Sequence, residues 1–175
     1  MININLLGHV EASVGSQTVR LKCEGSSIVL CAVSLSPGSL VTRQALHEAL
    51  WGEHPPDSRK QLLEYFVHQL NVSLKFANEA FLVEERQGYR LLPTAASTDV
   101  QQFRRYRQFA RHLAADGRLD QASGVYAKAM ALHRGTPFGG AGQGWLRAAS
   151  AGVMHMIRCT RVEATRLTTA SASFR

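Results

Sequence analysis

The chain has 175 residues, 45% apolar and 19% charged, enough to bury a core and too apolar for a disordered segment. The longest stretch without a charged residue, Gly25 to Thr42, is broken by Pro37 and Gly38, which argues against a membrane span. The first basic residue is Arg20, which argues against a secretory signal, so a cytoplasmic location is expected. The net charge of +7 is unevenly placed, with eight Lys or Arg against nine Asp or Glu up to Ser97 and twelve against four from Thr98 onward. A nucleic-acid partner must therefore be argued residue by residue rather than from the total.

In chain order, Ile2, Ile4 and Leu6 alternate with Asn3 and Asn5, and the stretches from Val10 to Val14 and from Thr18 to Leu21 flank a Gly15-Ser16 turn. This predicts a small antiparallel sheet. Ser26 and Ser27 stand ahead of the apolar block from Ile28 to Leu35, a short buried helix stopped by Pro37-Gly38. Thr42 caps a second helix whose stripe is Ala45, Leu46, Ala49 and Leu50 and whose end is Gly52. After the extended His54-Pro55-Pro56, Asp57 or Ser58 opens a third helix running to about Phe76, with Leu63, Val67, Leu70 and Leu74 as its buried stripe. Leu62 and Phe66 lie beside that stripe, so at least one of them should be partly exposed. Strands from Phe81 to Glu85 and from Tyr89 to Leu92 form a hairpin around Arg86-Gln87-Gly88.

This order of strands, three helices and a terminal hairpin describes a winged helix over residues 1–93, followed by a small polar linker over 94–98. Residues 99–175 read as helical, in segments from Asp99 to Ala115, Leu119 to His133, and Gly144 or Trp145 to about Thr169. In the first pair, Phe103, Tyr106, Ala110 and Leu113 face Ala122, Tyr126, Ala129 and Leu132, the pattern of a tetratricopeptide-like unit. The fold class is therefore α+β, an N-terminal winged helix-turn-helix and then an all-α domain.

Cys23, Cys31 and Cys159 are odd in number and fit neither a zinc site nor a disulfide framework, so buried reduced thiols are expected. The glycine-rich run from Gly139 to Gly144 has neither dinucleotide nor P-loop spacing and reads as a flexible inter-helix loop. The histidines are scattered. Neither a cofactor, a metal site nor an enzymatic activity is expected.

The sequence resembles the SARP-type (actinomycete antibiotic regulatory protein) transcriptional regulators. The resemblance rests on Leu6-Leu7-Gly8, Leu35-Ser36-Pro37-Gly38, Ala49-Leu50-Trp51-Gly52, Pro55-Pro56, the third-helix stripe and Gly88-Tyr89-Arg90-Leu91. In the second half it continues through Asp99, Phe103, Ala110, Gly117, Ala122, Ala129, Leu132, Arg134-Gly135, Pro137 and Trp145. It implies an OmpR-like winged helix, a bacterial transcriptional activation domain shorter than is usual in the family, and an activator that binds double-stranded DNA and contacts RNA polymerase subunits. Where the family carries arginines in the recognition helix, this chain has His68-Gln69-Leu70-Asn71-Val72. An alternative therefore stays open, a protein-interaction module with weak or no DNA binding.

On the residues, the recognition helix about 57–76 offers Gln69, Asn71 and His68 to base edges and Arg59, Lys60 and Lys75 to phosphates. The wing 84–90 offers Arg86 and Arg90 to the backbone or minor groove, beside Glu84 and Glu85. Val153, Met156, Ile157 and Val162 on the last helix have no following helix in the sequence to cover them, which predicts self-association or a partner there.

Overall fold

The computed structural model describes residues 2–21, 23–74, 81–94 and 96–172. Strands β1 (Ile2–Asn5), β2 (Glu11–Val14) and β3 (Gln17–Arg20) form the antiparallel meander that the alternation predicts, turning on Gly15 and Ser16. Helix α1 (Glu24–Ser34) starts before Ser26 and Ser27, and both serines lie buried inside it rather than capping it. Ser26 Oγ instead donates to the Phe66 carbonyl at 2.8 Å, which ties α1 to the third helix.

A short strand β4 (Leu40–Thr42) leads into α2 (Arg43–Trp51), where the Thr42 side chain accepts from Ala45 N–H as the cap. Helix α3 (Arg59–Ser73) buries Leu63, Val67 and Leu70 against α1, and its expected continuation to Phe76 lies outside the described residues. Phe66 is half-buried on Gly25 and 6.4 Å from the Trp51 ring, and a Cβ on Gly25 would sit 2.5 Å from it, so only glycine lets the two helices approach there. Leu62 is likewise half-buried, so the expected exposed patch on α3 is a partial one.

The wing is β5 (Leu82–Glu85) and β6 (Gly88–Leu91), with β4 completing a three-stranded sheet in the order β4-β6-β5. Gly88 belongs to β6 rather than to the turn. Its place is fixed by close approach, since a Cβ there would lie 2.0 Å from the Val41 carbonyl oxygen.

The segment read as a linker is in part a strand. β7 (Ala96–Thr98) pairs parallel with β1 and completes the first sheet in the order β3-β2-β1-β7. The chain then enters α4 (Asp99–Ala115), capped by Thr98, and returns in α5 (Leu119–Ala131). Phe103, Ala110, Leu113, Ala122, Tyr126 and Ala129 are buried between them, as the spacing predicts. A 3-10 turn (Pro137–Gly140) precedes the long α6 (Gly144–Ala172).

The two halves share one core. Asp99, at the start of α4, accepts from Leu6 N–H at 2.8 Å and Leu7 N–H at 3.0 Å, and the Arg134 guanidinium donates to the same carboxylate at 2.8 Å. Burial raises this carboxyl above the usual range, while the two amides and Arg134 pull the other way. The glycine-rich connection is anchored rather than flexible. Phe138 N–H donates to Leu6, Gly139 N–H to Gly8 and Gln143 N–H to Ala49, so its backbone partners come from the winged-helix half. Phe138 itself is fully buried in the left-handed region, a conformation that costs roughly 1–2 kcal/mol for an L-residue, and its packing and the Leu6 hydrogen bond hold it there.

Helix α6 packs on α2, on α5 and on the 3-10 turn. Trp145 Nε1 donates to the Ala45 carbonyl at 2.8 Å. Val153 and Ile157, expected on an uncovered face, are buried in the shared core, and Met156 packs at its edge; of the four, only Val162 is exposed. The cause is packing: α6 lies along α5 and, at its start, against α2, so Val153 and Ile157 face the core rather than an uncovered side. Cys31 is fully buried, and its desolvation, with the Asp99 charge adding to it, pushes the thiol far up and makes it inert.

Candidate nucleic-acid interface

The outward face of α3 follows from its buried one. With Leu63, Val67 and Leu70 inside, the opposite line of the helix runs through Gln61, Tyr65, His68 and Val72, all exposed, Tyr65 and Val72 at 51% and 53%. Four of the expected DNA contacts on this helix, Arg59, Lys60, His68 and Asn71, are exposed, and Gln69 is half-buried. Lys75 lies outside the described residues. Selecting polar side chains missed Tyr65 and Val72, and Gln61 was passed over although polar; the signal that finds all three is the position opposite the Leu63, Val67, Leu70 stripe.

Helix geometry separates the two amide readers. Gln69 lies about 60° round the axis from Val72 and Asn71 about 100° in the other sense. The two cannot face one base step together, and Gln69 is nearer the outward line.

Helix α2 and the wing are locked to each other by one residue that sequence reasoning did not select. Arg43, the first residue of α2, donates to the Glu85 and Arg86 carbonyls, pairs with Glu84, and lies 5.2 Å over the Tyr89 ring. Arg90 Nε is 2.7 Å from Glu85 Oε1, so the wing neutralises this cation within itself. Arg86, at the exposed wing turn, makes no ion pair among the described residues. Arg59 and Lys60, in the first turn of α3, make none either.

His47 sits under this surface, 5.6 Å from Trp51. Burial, with the Arg59 and Arg43 charges, lowers its pKa from the ordinary histidine value, so the ring is neutral at neutral pH. Its Nε2 is buried without a hydrogen-bond partner.

Among the described residues no group of three His, Cys, Asp or Glu side chains converges as metal ligands would, and no helix is long and apolar enough to cross a membrane. The surface presents hydrogen-bonding side chains, an apolar side chain and a few unpaired cations.

Residues 98–175 match the family model described as bacterial transcriptional activator domain. The regulatory protein DnrI of Streptomyces peucetius is 28% identical over 142 residues, which cover 77% of this chain and 52% of that protein. Among solved structures, Mycobacterium tuberculosis EmbR in complex with a low affinity phosphopeptide superposes over 98% of this chain with a TM-score of 0.75 and 24% identity, a likeness of fold. The chain spans about half the length of the curated relative and 44% of the solved chain.

Proposed function

We propose that the chain is a SARP-type transcriptional regulator, a reading supported by the activator-domain match and the likeness to DnrI, and an activator that binds double-stranded DNA with α3 in the major groove and the β5–β6 wing on the backbone or minor groove. In this reading the helical half contacts RNA polymerase. The observation that carries the reading is the free outward face of α3, presented by α2 with the wing fixed alongside through Arg43.

On that face, His68 and Gln61 meet base edges, the Val72 side chain meets a thymine methyl, and Gln69 bridges an adenine from the flank. Arg59, Lys60 and Arg86 hold phosphates, which fixes register without reading sequence. Arg90 is a weaker contributor because Glu85 already pairs with it.

Fluorescence anisotropy on duplexes from the region upstream of its own gene tests this. Arg59→Ala lowers affinity evenly across sequences. His68→Ala and Gln69→Ala lose about 1–3 kcal/mol at particular base pairs and relax the preference there. If both of those variants bind every sequence as the parent does, α3 does not lie in the groove.

A further inference from the structure

The structure carries a second surface, on the opposite chemistry from α3. Along α6, Trp145, Ala149, Gly152, Met156 and Glu163 recur at spacings of three and four or their sums, and so share one face. The same spacing places Arg104, Arg107 and Arg111 together on α4. The two faces meet at one end, where Arg107 donates to both Glu163 oxygens at 2.7 and 3.2 Å and Tyr126 donates to the same carboxylate.

Towards the other end the helices leave a groove of about 410 Å³, closed by Leu35 and Ser36 at the end of α1. Leu35, Trp145, Ala149 and Met156 line it half-exposed, Gly152 leaves it room, and Arg104 stands on its rim. Arg104 makes no ion pair among the described residues, and no Asp or Glu lines the groove. Glu163, farther along α6, is already taken by Arg107 and Tyr126.

We propose that this groove between α1, α4 and α6 is a docking site for an acidic segment of a partner protein that inserts an apolar side chain against Trp145 and Met156 while a carboxylate meets Arg104. The apolar floor argues for a peptide over a nucleic-acid backbone, which would gain nothing from Leu35, Trp145 and Met156. The unpaired Arg104 on the rim, with no carboxylate in the lining, argues for acidic sequence over neutral, because it steers and orients such a segment. The proposal goes beyond DNA reading and stands if DNA binding fails, since peptide and duplex are titrated separately.

The test uses the whole chain and a fluorescein-labelled peptide in which Asp and Glu surround Leu and Phe, with a Lys-for-acid counterpart and a Gly-for-Leu/Phe counterpart. Anisotropy is expected to give a Kd on the order of 10–100 μM for the acidic peptide and at least about tenfold weaker binding for both counterparts. Arg104→Glu is expected to weaken the acidic peptide by about tenfold or more. Gly152→Leu tests the same site independently of charge. A Cβ on Gly152 meets nothing within 4 Å, so the fold admits it, and the larger side chain fills the groove.

That variant is expected to keep its melting temperature and lose the peptide. Absence of binding at millimolar peptide, equal binding of the Lys-bearing counterpart, or a Gly152→Leu variant that is folded and binds as the parent does would overturn the proposal. Displacement of the peptide by an unrelated DNA duplex would assign the groove to nucleic acid and overturn it as well.

Discussion

In the winged-helix half, Arg20 pairs with Glu11, Arg43 with Glu84 and Arg90 with Glu85, whereas in the helical half Arg104, Arg105, Arg147, Arg158 and Arg161 are exposed with no ion pair among the described residues. The winged-helix half has thus tied up three of its six described cations internally, leaving Arg59, Lys60 and Arg86, and the half with the surplus carries a different kind of surface. Net charge summed over the chain points at neither. Pairing does, because a cation already held by a carboxylate releases few counterions on meeting a phosphate.

This comparison depends on the two halves being held as one body, and the largest expected effect lies at their junction. Asp99→Ala leaves the buried Leu6 and Leu7 amides without their acceptor and takes from the exposed Arg134 its nearer carboxylate, Glu11 lying 3.8 Å from it. A loss of about 3 kcal/mol is expected in urea denaturation of the whole chain, with both halves unfolding together. A loss below about 1 kcal/mol would show that the shared core alone holds the junction.

The next effect lies within the helical half. Burial alone would raise the Glu163 carboxyl, but Arg107, Tyr126 and Arg111 outweigh it and hold it below its ordinary value of 4.5. A depressed folded pKa means that the stability this group contributes is present above the ordinary value and is lost as pH falls below it. Glu163→Ala should therefore cost about 2 kcal/mol at pH 7. The difference from the parent should shrink as the pH is lowered through the acid range, measured by denaturant midpoints at a series of pH values. A constant difference over that range would mean that the ion pair with Arg107 contributes nothing.

A smaller effect sharpens the reading of α3. Val72→Ala is expected to cost about 1 kcal/mol at a thymine-containing step and little elsewhere, while Asn71→Ala, farther from the outward line, changes preference less than Gln69→Ala. Binding profiles over a set of single-base variants of one duplex check the order. Asn71→Ala with the larger effect would place the helix in the groove rotated from the line through Tyr65 and Val72.

What the sequence disclosed was mostly local. The alternation of Ile2 and Ile4, the Thr42 cap, the hairpin turn at Arg86-Gln87 and the α4–α5 pairing all depend on neighbours within a turn or a strand, and all are present. Ala96–Thr98 was hidden because three small residues carry no periodicity and their partner, β1, is more than ninety residues away. The anchored glycine connection was hidden for the same reason, since its backbone donors find carbonyls on β1's loop and on α2.

At α6 the apolar residues were visible, but what covers Val153 and Ile157 was not, because pattern alone does not say which element packs there. At the candidate interface, Arg59, Lys60 and His68 were legible as exposed polar positions. Tyr65 and Val72 were not, because they are apolar or aromatic and only the geometry opposite the buried stripe exposes them.

The central claim is that a nearly neutral winged helix reads DNA with few phosphate contacts, and the salt dependence of binding tests it most directly. With Arg59, Lys60 and Arg86 as the unpaired cations on that surface, log K against log salt for the preferred duplex is expected to fall with a slope of about −3. A slope steeper than about −5 would mean that the basic helical half also lies on the DNA, and would contradict the division of labour between the two halves.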